Sequence, residues 1–299
     1  MRRTISVRLA LIVAVAAAFA VGVPPEIHAQ SDARERTLFV SAVDSSGEPV
    51  NGLDAEDFVI TEDGRRREIL RISRATEPMD IALLADNSAA ASNAIGPLRS
   101  GLKDFVDAMV GDHQIALIAL ADRPTIFVNY TSNPMRLEEG INRLFAMNSS
   151  GMTLLDALVE VSDGLERREA TRAVIVPTIT TGTEYTNRYG LDVVEALQQA
   201  GVALHALVIG VENYDTVSAR ERGVVLDAGT RETGGRYVTL LTDSAMRQAL
   251  RKLARQLSAQ YKIVYSRPES LIPPEKTEVT SRRSDVTMRG TPARGQAGN

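Results

Sequence analysis

No cysteine occurs among the 299 residues, which excludes disulfide frameworks, thiolate nucleophiles, zinc–cysteine sites and lipid attachment through a cysteine. Tryptophan is also missing and aromatics make up 4%, so flat side-chain platforms for bases or sugars are scarce and the core must be aliphatic. Basic residues are in the minority, 34 against 38 acids for a net charge of −4, which argues against a nucleic-acid partner because phosphate-binding surfaces carry a basic excess. Histidines number three, and no Gly-x-Ser-x-Gly elbow, phosphate-cradling Gly-x-x-x-x-Gly-Lys loop or Gly-x-Gly-x-x-Gly turn after a strand occurs. Common hydrolase, nucleotidase and dinucleotide chemistries lose their main support. What is present is ordinary globular material, 44% hydrophobic and 24% charged.

One long apolar run stands at the start of the chain. Arg2, Arg3 and Arg8 lead into Leu9–Val23, 15 apolar or small residues, and Ala29 supplies the small residue a signal peptidase requires. The run falls short of the ~20 residues that cross a bilayer, and Pro24 and Pro25 break it where a span would extend. The expectation is a signal peptide over residues 1–29, an exported protein in the periplasm or outside the cell, and no stable transmembrane span after cleavage. Losing Arg2, Arg3, Arg8 and Glu26 takes the charge to about −6.

Residues 36–77 read as a small β-rich segment, with strands near Leu38–Val43, Phe58–Thr61 and Glu68–Ile72. Asp63-Gly64 supplies a hairpin turn, because glycine accepts the positive φ of a tight primed turn. A structural cap or spacer is the expected role. Residues 78–267 alternate strand and helix, with buried strands at Met79–Asp86, Gln114–Leu120, Ala173–Thr180 and Val202–Ile209, and Tyr261–Tyr265 closing the series. Strands apolar on both faces need helices on both sides, so the fold class is α/β, a doubly wound and mostly parallel sheet preceded by the β segment. Residues 268–299 form an extended tail, partly β at Lys276–Thr280 and Val286–Arg289, with disorder expected over Gly290–Asn299.

In open α/β sheets ligands bind beyond the carboxyl ends of the strands. Three loops qualify: Asp86-Asn87-Ser88-Ala89-Ala90, Ser149–Thr153 leading into Leu155-Asp156-Ala157, and Thr180-Thr181-Gly182-Thr183-Glu184. Together with Gly52–Phe58 and Glu62-Asp63-Gly64 in the opening segment, these residues make the chain resemble the von Willebrand factor A family. More narrowly, it resembles exported bacterial members in which a small β segment precedes a divergent A-type domain, over Leu38 to about Arg289. The resemblance implies an adhesion or assembly module that grips an acidic residue of a protein partner through Mg²⁺. It also places a metal-ion-dependent adhesion site on Asp86, Ser88 and Thr153. The family pattern, Asp-x-Ser-x-Ser with a Thr and an Asp from the later loops, is broken at Ala90 and Thr181, so the site is degenerate and keeps one negative ligand. Mg²⁺ prefers near-octahedral oxygens at short range, which one carboxylate and two hydroxyls supply only in part.

The remaining features have plainer readings. His113 precedes a strand and His205 lies within one, a turn and a core histidine respectively. Arg65-Arg66-Arg67 and the helix face of Arg247, Arg251, Lys252 and Arg255 read as solvated surface. Two other functions stay open at this point: a scaffold without metal-dependent capture, and a hydrolase built on His113 or His205 with a carboxylate. A protein-binding module, not an enzyme, is the expected function.

Overall fold

A computed structural model describes residues 33–268, 272, 274 and 276–295. The signal peptide expected over residues 1–29 lies outside them.

The chain opens with strand β1 (Ala33–Val43), followed by β2 (Phe58–Glu62), β3 (Arg65–Arg67) and β4 (Ile69–Arg74). Asp63 and Gly64 both take positive φ, 49° and 76°, and close the β2–β3 hairpin as a primed turn, as the sequence predicts. Burial alternates along β2, with Phe58, Ile60 and Glu62 inward.

The α/β layer follows as β5 (Met79–Ala85), α1 (Ile95–Met109), β6 (Gln114–Ala119), β7 (Thr125–Thr131), α2 (Pro134–Asn142) and α3 (Leu154–Glu166). Then come β8 (Arg172–Thr180), α4 (Gly190–Gln199), β9 (Ala203–Ile209), α5 (Val217–Val224), α6 (Thr230–Glu232), β10 (Arg236–Leu240) and α7 (Met246–Ser258). A π turn over Val225–Gly229 joins α5 to α6. The six strands align in the order β10-β9-β8-β5-β6-β7, all parallel except the antiparallel edge strand β7. All seven residues of β5 are buried, and they alternate between two cores. Ile81 and Leu83 pack with α1, α2 and α7, whereas Ala82 and Leu84 pack with α3 and α4. Helices therefore cover both faces, which is the doubly wound arrangement expected. The order of strands across the sheet reverses between β5 and β8, which makes the carboxyl rim at this pair the topological switch point where open α/β sheets bind ligands.

The chain ends with β11 (Tyr261–Pro268), β12 (Thr277–Ser281) and β13 (Thr287–Pro292), and their pairing corrects the expected segment boundaries. Tyr261–Tyr265 does not extend the parallel sheet. β11 lies antiparallel between β1 and β4 in a separate sheet of order β13-β1-β11-β4, while β12 pairs with β2 in a sheet of order β12-β2-β3. The reason is visible in burial: Tyr261, Ile263 and Tyr265 face a third core with Leu38, Val40, Phe58, Ile60, Val279 and Met288. That period-2 pattern belongs to a two-faced antiparallel strand rather than to one buried on both sides. Residues 36–77 and the tail thus form one β module, and neither stands alone.

The disorder expected at Gly290–Asn299 is likewise corrected as far as residue 295. Gly290 packs against Leu38 and Val279, where a Cβ would come within 2.7 and 2.9 Å. The Arg294 guanidinium donates to the carbonyls of Ala200 (3.0 Å), Ala170 (2.9 Å), Arg168 (3.1 Å) and Leu165. Arg294→Ala is expected to lower the unfolding free energy by about 2 kcal/mol, the scale of lost charge-assisted hydrogen bonds, in urea titration. A loss below about 0.5 kcal/mol would mean that the solvated arginine does as well.

The basic face of α7 is exposed at its arginines, as the sequence suggests, and these also make ion pairs. Arg247 and Arg251 pair with Asp104 of α1 at 2.5 and 2.7 Å, and Arg255 pairs with Glu48 in the loop after β1 at 2.8 Å. Gln256 donates to the Gly47 carbonyl at 2.6 Å, so α7 ties the β module to the α/β layer. In the arginine triplet, Arg65 and Arg66 are exposed, and Arg67 pairs with buried Glu62 at 2.8 Å.

Candidate functional site

The loops leaving β5 and β8, and the loop entering α3, meet at the carboxyl rim. Asp86 follows the last residue of β5 and is buried. Its Oδ1 accepts from the Ser88 amide (2.9 Å), and its Oδ2 accepts from the Thr180 amide (2.9 Å) and the Thr180 hydroxyl (2.5 Å). The Asn87 Oδ1 accepts from the amides of Leu120 (3.1 Å) and Ala121 (2.9 Å), which fixes the β6 end to the first loop. The Ala89 amide reaches the Ser150 carbonyl at 3.4 Å, and Met152 pairs with Thr183 and Tyr185 through backbone bonds of 2.8 and 2.7 Å. Gly182 lies against the first loop, since a Cβ there would meet Ala90 Cβ at 2.7 Å and Ser88 Oγ at 3.5 Å.

Asp86, Ser88 and Thr153, the residues expected to hold Mg²⁺, thus sit on loops that touch one another, each of them buried. Their donors do not make a full coordination set. Three hydrogen bonds already occupy the Asp86 carboxylate, and the Thr153 hydroxyl donates to the Leu120 carbonyl at 2.9 Å. Ser88 Oγ alone among the three side chains has no partner. Ala90 contributes a methyl, and the Thr181 hydroxyl stands against Gly210, 3.1 Å from where a Cβ would lie. Among the described residues no three acidic or histidine side chains cluster as ligands would. One engaged carboxylate and one free hydroxyl do not fit the octahedral, charge-rich shell that Mg²⁺ demands.

Glu184 is the other acid in these loops, and its carboxylate has a different task. Thr153 is the N-cap of α3 by position but makes no capping bond, its hydroxyl having turned to Leu120. Glu184 Oε1 replaces it, accepting from the Leu155 amide at 3.3 Å. Burial pushes the Glu184 carboxyl up to about 8, against the helix amides and Arg222, which favour its ionised form.

Behind this loop lies a group that sequence patterning did not single out. Arg222 on α5 keeps 2% of its side chain exposed and donates to the Gly182 carbonyl (2.7 Å) and to Glu212 Oε2 (2.6 Å). Glu184 Oε2 stands 3.9 Å from the same guanidinium. The sequence around Arg222, Val217–Val224, is polar enough to read as a solvated helix, so no local signal marks the arginine as buried.

Outside the buried loops the rim is open. A cavity of about 690 Å³ is lined by Asp156, Glu184, Tyr185, Asn187, Arg188 and Ser218. Arg188 pairs with Asp156 at 2.7 Å, and the Ser218 hydroxyl donates to the Thr186 carbonyl at 3.1 Å. Neither histidine lies in this region. His113 accepts from the amide of Met79, the first residue of β5, a strand length of roughly 20 Å from Asp86 at ~3.3 Å per residue. His205 sits third in β9, its two ring nitrogens buried without a partner and its pKa pushed down to about 3 by burial.

Comparison with known proteins agrees with this geometry. Residues 81–182 match the family model described as von Willebrand factor type A domain. No curated protein matches the chain by sequence. Among solved structures, a von Willebrand factor type A protein from Catenulispora acidiphila aligns over 88% of this chain and 75% of its own, at 9% identity and TM-score 0.50. Proximal thread matrix protein 1 from the mussel byssus aligns over 70% of this chain and 50% of its own, at 17% identity and TM-score 0.51. The vWF domain of the type V pili tip protein Mfa5 from Porphyromonas gingivalis aligns over 61% and 96%, at 11% identity and TM-score 0.48. At such identities the likeness to solved structures is one of fold, and the segment from β5 to the third loop, residues 81–182, is what matches the von Willebrand factor type A domain model.

Proposed function

We propose that this chain is an exported protein-binding module that holds its partner on the loop rim at the carboxyl ends of the central sheet, without a divalent cation as the point of attachment. The observation that carries this reading is the placement of aromatics. In a chain with 4% aromatic residues, the exposed ones among the described residues are Phe145, Tyr185, Tyr189 and Tyr214, and all four lie on rim loops. Phe145 is tied to the first loop through its carbonyl and Asn87 at 3.4 Å, and Tyr185 lies over Gly151 of the second loop. Tyrosines exposed beside a polar cavity are the composition of interface hot spots, where a rigid ring gives contact area at small entropic cost. Export rests on the basic head and apolar run of residues 1–29. Among the described residues no helix is long and apolar enough to cross a membrane.

The test is affinity capture from a cell-envelope extract with the mature protein and with Tyr185→Ser/Tyr189→Ser, each in Mg²⁺ and in chelator. A hot-spot tyrosine contributes about 2 kcal/mol, so the double variant is expected to lose binding of the captured protein by roughly thirtyfold or more. Its melting temperature should be unchanged, since both rings are largely exposed. Equal recovery by wild type and variant would favour a scaffold that does not use this rim, and capture that vanishes in chelator would return the metal to the centre of the reading.

A further inference from the structure

The arrangement around Arg222 accounts for how the rim loops are held together when their metal donors are incomplete. We infer that the Arg222 guanidinium is a tethered internal cation that fixes the third loop in place of a divalent ion. This proposal takes the rim as the binding face for its consequence, but the lock stands on contacts of its own.

The geometry brackets one position. Thr180 is held to Asp86 by its amide and hydroxyl, and Gly182 is held to Arg222 by its carbonyl. Between them lies Thr181, where the family resemblance expects an acid and where this chain has only a hydroxyl facing Gly210. The residue on either side of the missing ligand is thus pinned, one to the first loop and one to α5. The guanidinium is planar and has two donor edges, which lets it hold the Gly182 carbonyl and the Glu212 carboxylate together, bridging the loops after β8 and β9. A hydrated point charge on a lysine lacks that fork. Complete burial keeps the charge bound to its partners, because a cation so placed is costly unless paired, and Glu212 supplies the counter-charge at 2.6 Å. Gly182 cannot retreat toward solvent as an ordinary loop residue does: Ala90 stands against one side of it and Arg222 holds the other. Arg222 is accordingly a positioning residue for Glu184 and Tyr185, which follow directly in the chain and line the rim cavity.

Hydrogen exchange read by mass spectrometry tests the lock on the whole mature protein, with and without millimolar Mg²⁺. In Arg222→Gln, amides of residues 181–188 are expected to exchange about tenfold faster or more, a local opening eased by about 1.4 kcal/mol, while amides of β5 and β6 keep their protection. Arg222→Lys should fall between the two, and Mg²⁺ should leave the wild-type loop unchanged. Should Arg222→Gln not fold, Glu212→Gln removes one partner and keeps the arginine, and faster exchange confined to the same loop is the expected result. Wild-type exchange in this loop for both Arg222→Gln and Glu212→Gln, or for Glu212→Gln where Arg222→Gln does not fold, would overturn the proposal, as would slowing of wild-type exchange by Mg²⁺. Failure of partner capture with the exchange pattern intact would count against the binding role of the rim and leave the lock standing.

Discussion

Phe58→Ala is expected to reduce the free energy of unfolding by about 3–5 kcal/mol, the cost of removing a fully buried ring from a close-packed core. Phe58 has no exposed surface and meets Tyr261 edge to face, centroids 5.3 Å apart at 65°. It begins β2, which pairs with β12, and its neighbours Leu38, Ile263 and Met288 come from three other strands. Its loss therefore leaves a cavity bounded by both ends of the chain. The measurement is urea denaturation followed by circular dichroism. A cost under about 1 kcal/mol would show that the opening strands are a loosely attached spacer rather than part of the fold.

The pH dependence of stability carries the second large effect, and two buried groups shape it in opposite senses. His205 has a folded pKa near 3 against an ordinary 6.5, so the unfolded chain binds the proton between those values and stability rises with pH across that range. Glu184 has a folded pKa near 8 against an ordinary 4.5, so the folded chain binds the proton and stability falls as pH rises from 4.5 to 8. The contributions cancel between 4.5 and 6.5. From these two groups, stability should climb by up to about 2 kcal/mol from pH 3 to 4.5, stay level to 6.5, and fall by about 2 kcal/mol toward pH 8. Urea titrations across this range on Glu184→Gln and His205→Leu separate them by difference from wild type. Glu184→Gln should abolish the alkaline decline, and His205→Leu should turn the plateau into a slope downward from pH 4.5. An alkaline decline that survives in Glu184→Gln would place its origin elsewhere.

Much of the fold is legible in the sequence because periodicity reports burial. The unbroken apolar runs at β5, β6, β8 and β9 mark strands covered on both faces, the 3.6-residue rhythm marks the helices, and Asp63-Gly64 marks its hairpin. The three rim loops are legible for the same reason, since each follows or precedes such an element. Partner choice is not legible, because alternation along Tyr261–Tyr265 announces a strand but says nothing of whether β1 or β10 lies beside it. Nor are long-range charge pairs. Arg247 and Arg255 are exposed as the sequence suggests, but nothing local announces that Asp104 and Glu48, far off in the chain, pair with them. Arg222 is the extreme case, a charged residue in a polar helix whose burial depends on Gly182 and Glu212 arriving from two other loops.

The central place of β1 has a consequence for how the molecule is made. β1 pairs with β11 and β13, and Leu53 and Tyr261 are joined across 208 positions of sequence. A chain leaving the ribosome, or threading through a translocation channel amino end first, presents β1, and the edge of β2 that takes β12, long before the partner strands emerge. Until then both strands carry unpaired backbone edges of the kind that recruit foreign strands. The α/β layer has its six strands by residue 240, so it can assemble first and leave the opening strands waiting. Closure of the β module is therefore a late, long-loop event, and the interval before it is when this protein has most need of a chaperone.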